Sequence, residues 1–271
     1  MKRRIVIELV SMSTTALLAV GCGASSSAST SVGGAGGSGG AASTSTSSTS
    51  STGGAGGAVE PSPGVQTQHP LGSTTAPFGF YDYLPPGYND GKSRPLMVFF
   101  HGIGENGNGT TDLPSVLKNG PPKLIDRSKW PADRPFVVIS WSVASYHIDA
   151  KRVYLTGLSC GAIGGWSYLG KYVDVEVAAA VLISGAGKGA FNQQGCALTR
   201  TAIWAFHGDM DPTVSPGDDE LVMPKLIACP QPRRDQQFTL YPGVGHDAWS
   251  QTFDLSAGHD VYAWLLANPK P

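Results

Sequence analysis

Arg152-Val153-Tyr154-Leu155-Thr156-Gly157-Leu158-Ser159-Cys160-Gly161-Ala162-Ile163-Gly164-Gly165-Trp166 is the stretch whose reading decides the fold. Val153 to Thr156 is a β-branched and aromatic run that reads as a strand. A helix is expected to follow, from Cys160 to about Lys171. Between them, Gly157-Leu158-Ser159-Cys160-Gly161 has the G-x-S-x-G spacing of a sharp strand-to-helix turn that lifts a serine hydroxyl clear of a sheet. The flanking glycines suit it, because side chains there would collide across so tight a turn. The spacing alone is weak in a chain with 36 glycines, and Gly36-Gly37-Ser38-Gly39-Gly40 matches it too. Ser38, however, lies in a tract with nothing to bury. Context therefore separates a candidate nucleophile at Ser159 from an ordinary turn serine.

Outward from this stretch, short apolar runs recur. Phe78 to Leu84 is strand-like and is stopped by Pro85-Pro86-Gly87-Tyr88. Leu96 to Phe100, Phe136 to Ile139, Ala178 to Ile183, Ala202 to Phe206 and Gln237 to Tyr241 read as further strands, with helices near Asp218 to Ile227 and Asp260 to Leu266. Strands apolar throughout and alternating with helices predict an α/β fold, a mostly parallel sheet with helices on both faces. The 13 residues between Ile139 and Val153 are close to the least that a parallel crossover takes. Any helix there, around Trp141 to Tyr146, is expected to be one or two turns, leaving part of one sheet face thinly covered.

In an open parallel sheet the loops at the strands' C-terminal ends form the site. After Ala202 to Phe206 comes His207-Gly208-Asp209-Met210-Asp211-Pro212, and after Gln237 to Tyr241 comes Pro242-Gly243-Val244-Gly245-His246-Asp247. The order Ser159, Asp211, His246 is that of a nucleophile, an orienting acid and a base. A serine hydroxyl becomes a good nucleophile when a neutral imidazole takes its proton and a carboxylate fixes that imidazole's tautomer. Asp209 is the main rival for the acid, and Asp247 adjoins His246 too closely to face its ring easily. His101 and His207 each precede a glycine at a strand end and are read as structural. His69, His147 and His259 show no ligand spacing, so no catalytic metal is expected. Negative charge developing on a substrate oxygen calls for preorganised donors. The backbone N–H groups of Cys160 and of Ile103, in the loop His101 to Gly104, are the candidates. A cysteine nucleophile is disfavoured, since Leu158 and Ala162 rather than glycines would flank it.

The N-terminus has a different character. Lys2-Arg3-Arg4, an apolar run to Val20 and then small residues have the layout of a secretory signal, interrupted by Glu8 and too short for a convincing span. Ala19-Val20-Gly21-Cys22 resembles a bacterial lipobox, with Ala19 where that pattern usually has Leu; ordinary cleavage and secretion is the alternative. An acylated Cys22 would tether the chain to a membrane face. From Gly23 to Ala58 every residue but Val32 is Gly, Ala, Ser or Thr, which cannot bury enough apolar area to offset its ordering entropy. The expected organisation is a signal over 1–22, a tether over 23–69 and one catalytic domain over 70–271. The 19 basic and 20 acidic residues leave a charge of -1, which gives no reason to expect nucleic acid. Cys196 and Cys229 could form a disulfide in an oxidising compartment if their Cα atoms approach within about 7 Å, which the sequence leaves open.

The chain from about Phe78 to Leu266 resembles the α/β-hydrolases of the dienelactone-hydrolase and phospholipase/carboxylesterase group, close to exported proteins of the peptidase or esterase type. The resemblance rests on Leu84-Pro85-Pro86-Gly87-Tyr88, His101-Gly102-Ile103-Gly104-Glu105-Asn106-Gly107, Ile148 to Ser159, Trp204-Ala205-Phe206-His207-Gly208 and Gly245-His246-Asp247-Ala248-Trp249. It implies the α/β-hydrolase fold without a large cap domain, no cofactor, and Asp211 rather than Asp209 as the acid. The chain departs from the family at Cys160 and Ala162, where Met and Gly are usual, and by lacking most of the helix before Ile148. The resulting expectation is an envelope lipoprotein or secreted serine esterase with an open cleft for ester-bearing small molecules or polymers. Trp249 would line that cleft, and Trp166 is favoured as core. A peptidase with the same three residues, or a non-catalytic surface-binding module on a degenerate hydrolase fold, are the competing readings.

Overall fold

The computed structural model describes residues 63–140, 146–173 and 177–271. Within them the strands are β1 (Gln66–His69), β2 (Phe80–Tyr83), β3 (Arg94–Phe100), β4 (Val137–Ser140), β5 (Ile148–Leu158), β6 (Ala179–Ile183), β7 (Ala202–Gly208) and β8 (Gln236–Tyr241). They form one sheet in the order β1-β2-β4-β3-β5-β6-β7-β8. β1 and β2 are antiparallel to their neighbours, and every pairing from β4 through β8 is parallel. The helices are α1 (Gly120–Asp126), α2 (Cys160–Lys171), α3 (Lys188–Gln194), α4 (Gly217–Ile227), α5 (Trp249–Phe253) and α6 (Val261–Ala267). None of the described helices is long and apolar enough to cross a membrane.

The strands are apolar throughout because both faces are covered. Alternate residues go to opposite sides: Leu96, Val98 and Phe100 of β3 pack with Ala162, Trp166 and Leu169 of α2, Ala190 of α3 and Met223 of α4. Met97 and Phe99 join Leu124 of α1, Phe253 of α5 and Tyr262 of α6 on the other side. Trp166 is 1% exposed, a core residue as favoured. Cys196, in the turn Gly195–Arg200, is bonded to Cys229 just beyond α4, with Cα atoms 5.7 Å apart.

Three expectations are corrected or fall outside. The expected boundary at Pro70 is too late, because Gln66–His69 pairs with β2 and belongs to the sheet. The thin cover expected beside the short crossover is not seen: Phe80, Leu96, Val98, Val137 and Ile139 are each at most 5% exposed. Tyr146 packs on that face and directs its hydroxyl to Asp82, while His147 N–H donates to Tyr88 Oη at 2.7 Å. The signal over 1–22, Cys22, the tether to residue 62, and 141–145 of the expected crossover helix lie outside the described residues.

Candidate active site

Ser159 stands between β5 and α2 with φ 53° and ψ -123°, a conformation that costs a non-glycine residue about 1–3 kcal/mol. The surroundings enforce it. Ser159 N–H donates to Ile183 O at 2.9 Å, and its carbonyl accepts from Ile163 N–H at 3.0 Å. A Cβ on Gly161 would lie 2.1 Å from Phe100 O, so glycine there lets the start of α2 close on the end of β3. That contact brings the loop after β3 to the serine: a Cβ on Gly102 would lie 3.7 Å from Ser159 Cβ.

Three side chains expected at the site are in series. Ser159 Oγ lies 2.8 Å from His246 Nε2, and His246 Nδ1 lies 2.7 Å from Asp211 Oδ2. An ionised carboxylate can only accept, so Nδ1 carries the proton, and Nε2 then presents its lone pair to the serine hydroxyl. Asp211 Oδ1 accepts the N–H groups of Thr213 and Val214 at 2.8 and 3.0 Å. Burial pushes this carboxyl upward, but His246 and those two amides outweigh it and hold it below its ordinary range. A Cβ on Gly208 would sit 2.2 Å from Val244 O, so the glycine lets the loop after β8 approach β7. Ser184 Oγ donates to His246 O at 2.9 Å and fixes the loop from the β6 side. The rival acids are used elsewhere: Asp209 accepts from Gly243 N–H at 2.7 Å, and Asp247 caps Ser250 through N–H and Oγ, both at 2.9 Å.

Ile103 opens a 3-10 turn through Glu105 with its side chain 48% exposed, and Cys160 opens α2, whose N-terminal amides are natural donors to an anion. The turn is held from beneath by Glu105 and Asn119, which the sequence leaves without a role. Glu105, 3% exposed, accepts Gly102 N–H at Oε2, 2.8 Å, and Asn119 Nδ2 at Oε1. Asn119 Oδ1 in turn accepts Trp249 Nε1–H at 3.3 Å, and the Trp249 ring stands edge-on to His246 with centroids 5.0 Å apart. His101 Nδ1 lies 2.9 Å from Gly102 O. Ser159 Oγ thus stands in a hydrogen-bonded series with an imidazole and a carboxylate, with Trp249 against the imidazole. Beneath Asp211 lies wholly buried His207, also absent from the expected site.

The sequence model of the phospholipase/carboxylesterase family matches residues 138–259, the span that carries Ser159, Asp211 and His246. The chain has the α/β-hydrolase fold. Among solved structures this chain resembles a thermostable esterase at 22% identity and TM-score 0.54, covering 76% of this chain and 63% of that one. It also resembles Thermogutta terrifontis esterase 2, solved phosphorylated by paraoxon, at 14% identity and TM-score 0.51, covering 76% of this chain and 96% of that one. The chain thus spans 63% of the length of the thermostable esterase, and at these identities the likeness is one of fold. No curated protein matches it. The fold expected from the α/β pattern, mostly parallel with helices on both faces, is the one found.

Proposed function

We propose that this hydrolase cleaves carboxylic esters through an acyl-enzyme on Ser159. The observation that carries the reading is the unbroken series Ser159 Oγ, His246 Nε2, His246 Nδ1 and Asp211 Oδ2, with links of 2.8 and 2.7 Å. Ser159 Oγ attacks the ester carbonyl carbon as its proton passes to His246 Nε2. The oxyanion is met by the N–H groups of Ile103 and Cys160, each such donor contributing about 100-fold to 1000-fold in rate. The intermediate collapses, and the alkoxide leaves as an alcohol with the proton from Nε2. Water then gives a proton to Nε2 and attacks the acyl carbon, and the acid departs as Ser159 recovers its proton. Asp211 stabilises the imidazolium in both halves and keeps its own charge. A series kept intact also weighs against the binding-module reading.

The signal-like N-terminus and Ala19-Val20-Gly21-Cys22 support export and a lipid anchor at Cys22, with Gly23 onward as tether. Substrates would then be ester-bearing molecules or polymers in the envelope or outside the cell. The deciding experiment treats purified protein and Ser159→Ala with a fluorophosphonate probe and with acetyl, butyryl and feruloyl esters. Labelling and turnover in the parent, with at least a 1000-fold loss in the variant, is expected. A folded parent that is neither labelled nor active removes the esterase reading.

A further inference from the structure

Asp211 Oδ2 has a second histidine against it. His207, at the end of β7 and 0% exposed, places Nε2 3.2 Å from Asp211 Oδ2 and 3.0 Å from Val214 O. Its Nδ1 lies 3.0 Å from Oδ2 of Asp219, an equally buried residue in the first turn of α4. Asp219 Oδ1 accepts Gly187 N–H at 3.0 Å. Asp219, His207, Asp211, His246 and Ser159 therefore form one continuous row.

A neutral imidazole has one N–H and one lone pair. Both ring nitrogens of His207 face oxygen acceptors, so a neutral ring would turn a lone pair on a carboxylate or on the Val214 carbonyl. An imidazolium donates at both nitrogens and places one positive charge between two buried carboxylates. We propose that His207 is an imidazolium in the folded protein and acts as a positioning residue for ester hydrolysis. It holds Asp211 ionised and oriented and limits the negative charge that His246 feels. The role in hydrolysis rests on the proposed Ser159, His246 and Asp211 chemistry; the charge itself does not.

The surroundings bear this out by direction. Burial opposes the charge, but the hydrogen bond and charge of Asp219, the Val214 carbonyl and the charge of Asp211 outweigh it and raise His207 above its ordinary value. The ionisable groups facing it are Asp219 from α4, Asp211 from the loop after β7 and, beyond Asp211, His246 from the loop after β8. On the α3 side, Lys188 is directed to exposed Asp218 at 4.0 Å. Contacts of 3.2 and 2.7 Å in series put the His207 charge within roughly 6 Å of His246 Nδ1. A unit charge at that range, in an effective dielectric of about 20 to 40, moves a titration by about 1 to 2 pH units. A cation disfavours a second cation nearby. Loss of the His207 charge should therefore move the acidic limb of ester turnover upward.

The test has two arms on the whole protein. In protein labelled with 15N histidine, His207, assigned through its ring contacts to Val214, should show both nitrogens protonated at the pH of the ester assay. A bare nitrogen there would put the proton on Asp219 and overturn the proposal, whether or not any variant folds. For His207→Gln, the acidic limb of kcat/KM on a soluble ester should move up by about 1 to 2 pH units, a shift that a merely structural role would not cause. An unmoved limb in a folded variant overturns the positioning role. A parent that turns over esters with neutral His207 refutes this inference alone. A parent with charged His207 but no turnover or probe labelling refutes the hydrolytic reading and, with it, the positioning role, and leaves the charge standing.

Discussion

Glu105 shows how much of a site can rest on a residue that sits in a recognisable stretch without an evident role. Each of its carboxylate oxygens accepts from a different donor, Gly102 N–H and Asn119 Nδ2. Asn119 cannot turn over to suit another partner, because its own oxygen is held by an indole N–H that only donates. Glu105→Gln can satisfy one donor but must set its amide N–H against the other. Burial makes that mismatch worth about 1–3 kcal/mol. The loop bearing the Ile103 N–H should loosen, so we expect kcat on a soluble ester to fall about 10-fold to 100-fold with KM little changed. Steady-state kinetics on the folded variant check this, and an unchanged kcat would mean that Glu105 does not position the loop. The sequence made Ser159, Asp211 and His246 legible, since nucleophile, acid and base sit in strand-end loops with recognisable spacing. It could not reveal Glu105, Asn119, His207 or Asp219, because their roles depend on burial, and a buried carboxylate is written with the same letter as a solvated one.

Among the elements, those read correctly are the ones with long apolar runs. β2, β3, β4, β6, β7, β8, α2, α4 and α6 are each found within two residues of expectation at either end, and β5 begins five residues earlier than expected, at Ile148; for the strands, the composition of a doubly covered strand differs sharply from that of its loops. β1, α1, α3 and α5 were missed. β1 is Gln-Thr-Gln-His, without an apolar run, and α1 begins Gly-Pro-Pro, where prolines suit a helix start but hide its period. The disulfide was open in sequence for a related reason, since what brings the turn Gly195–Arg200 to the end of α4 is tertiary. Cys196 and Cys229 close a loop of 33 residues, for which chain entropy gives about 3–4 kcal/mol. The double variant Cys196→Ala, Cys229→Ala should melt roughly 10 °C below the parent in calorimetry. A drop under about 2 °C would show that the cross-link does little to restrict the unfolded chain.

For the whole molecule, the sheet gathers its candidate chemistry at one end. Ser159, Asp211, His246 and the Ile103 turn all follow strands running the same way, whereas the N-terminal strand lies at the opposite edge of the sheet, β1 beside β2. A lipid on Cys22 would therefore enter the domain through the strand farthest in sheet order from β8. In a bacterial host, the parent should fractionate with membranes and incorporate radiolabelled palmitate, and Cys22→Ser should do neither. A parent already found in the soluble fraction would favour ordinary secretion instead.

The edge position of β1 also sets how the molecule would answer a pull. Within the described residues, tension from the N-terminal side meets the bond from Gly64 N–H to Leu84 O at 2.7 Å and then β1, a strand of four residues paired with β2, Gln66 to Tyr83 through His69 to Phe80. Such a ladder yields one rung at a time. Its last rung carries His69, which stacks on Phe80 and lies 3.1 Å from buried Asp82. Mechanical load would thus be spent in peeling β1 and wetting Asp82, five strands of sheet away from β7, while the machinery around Ser159 stayed unstrained.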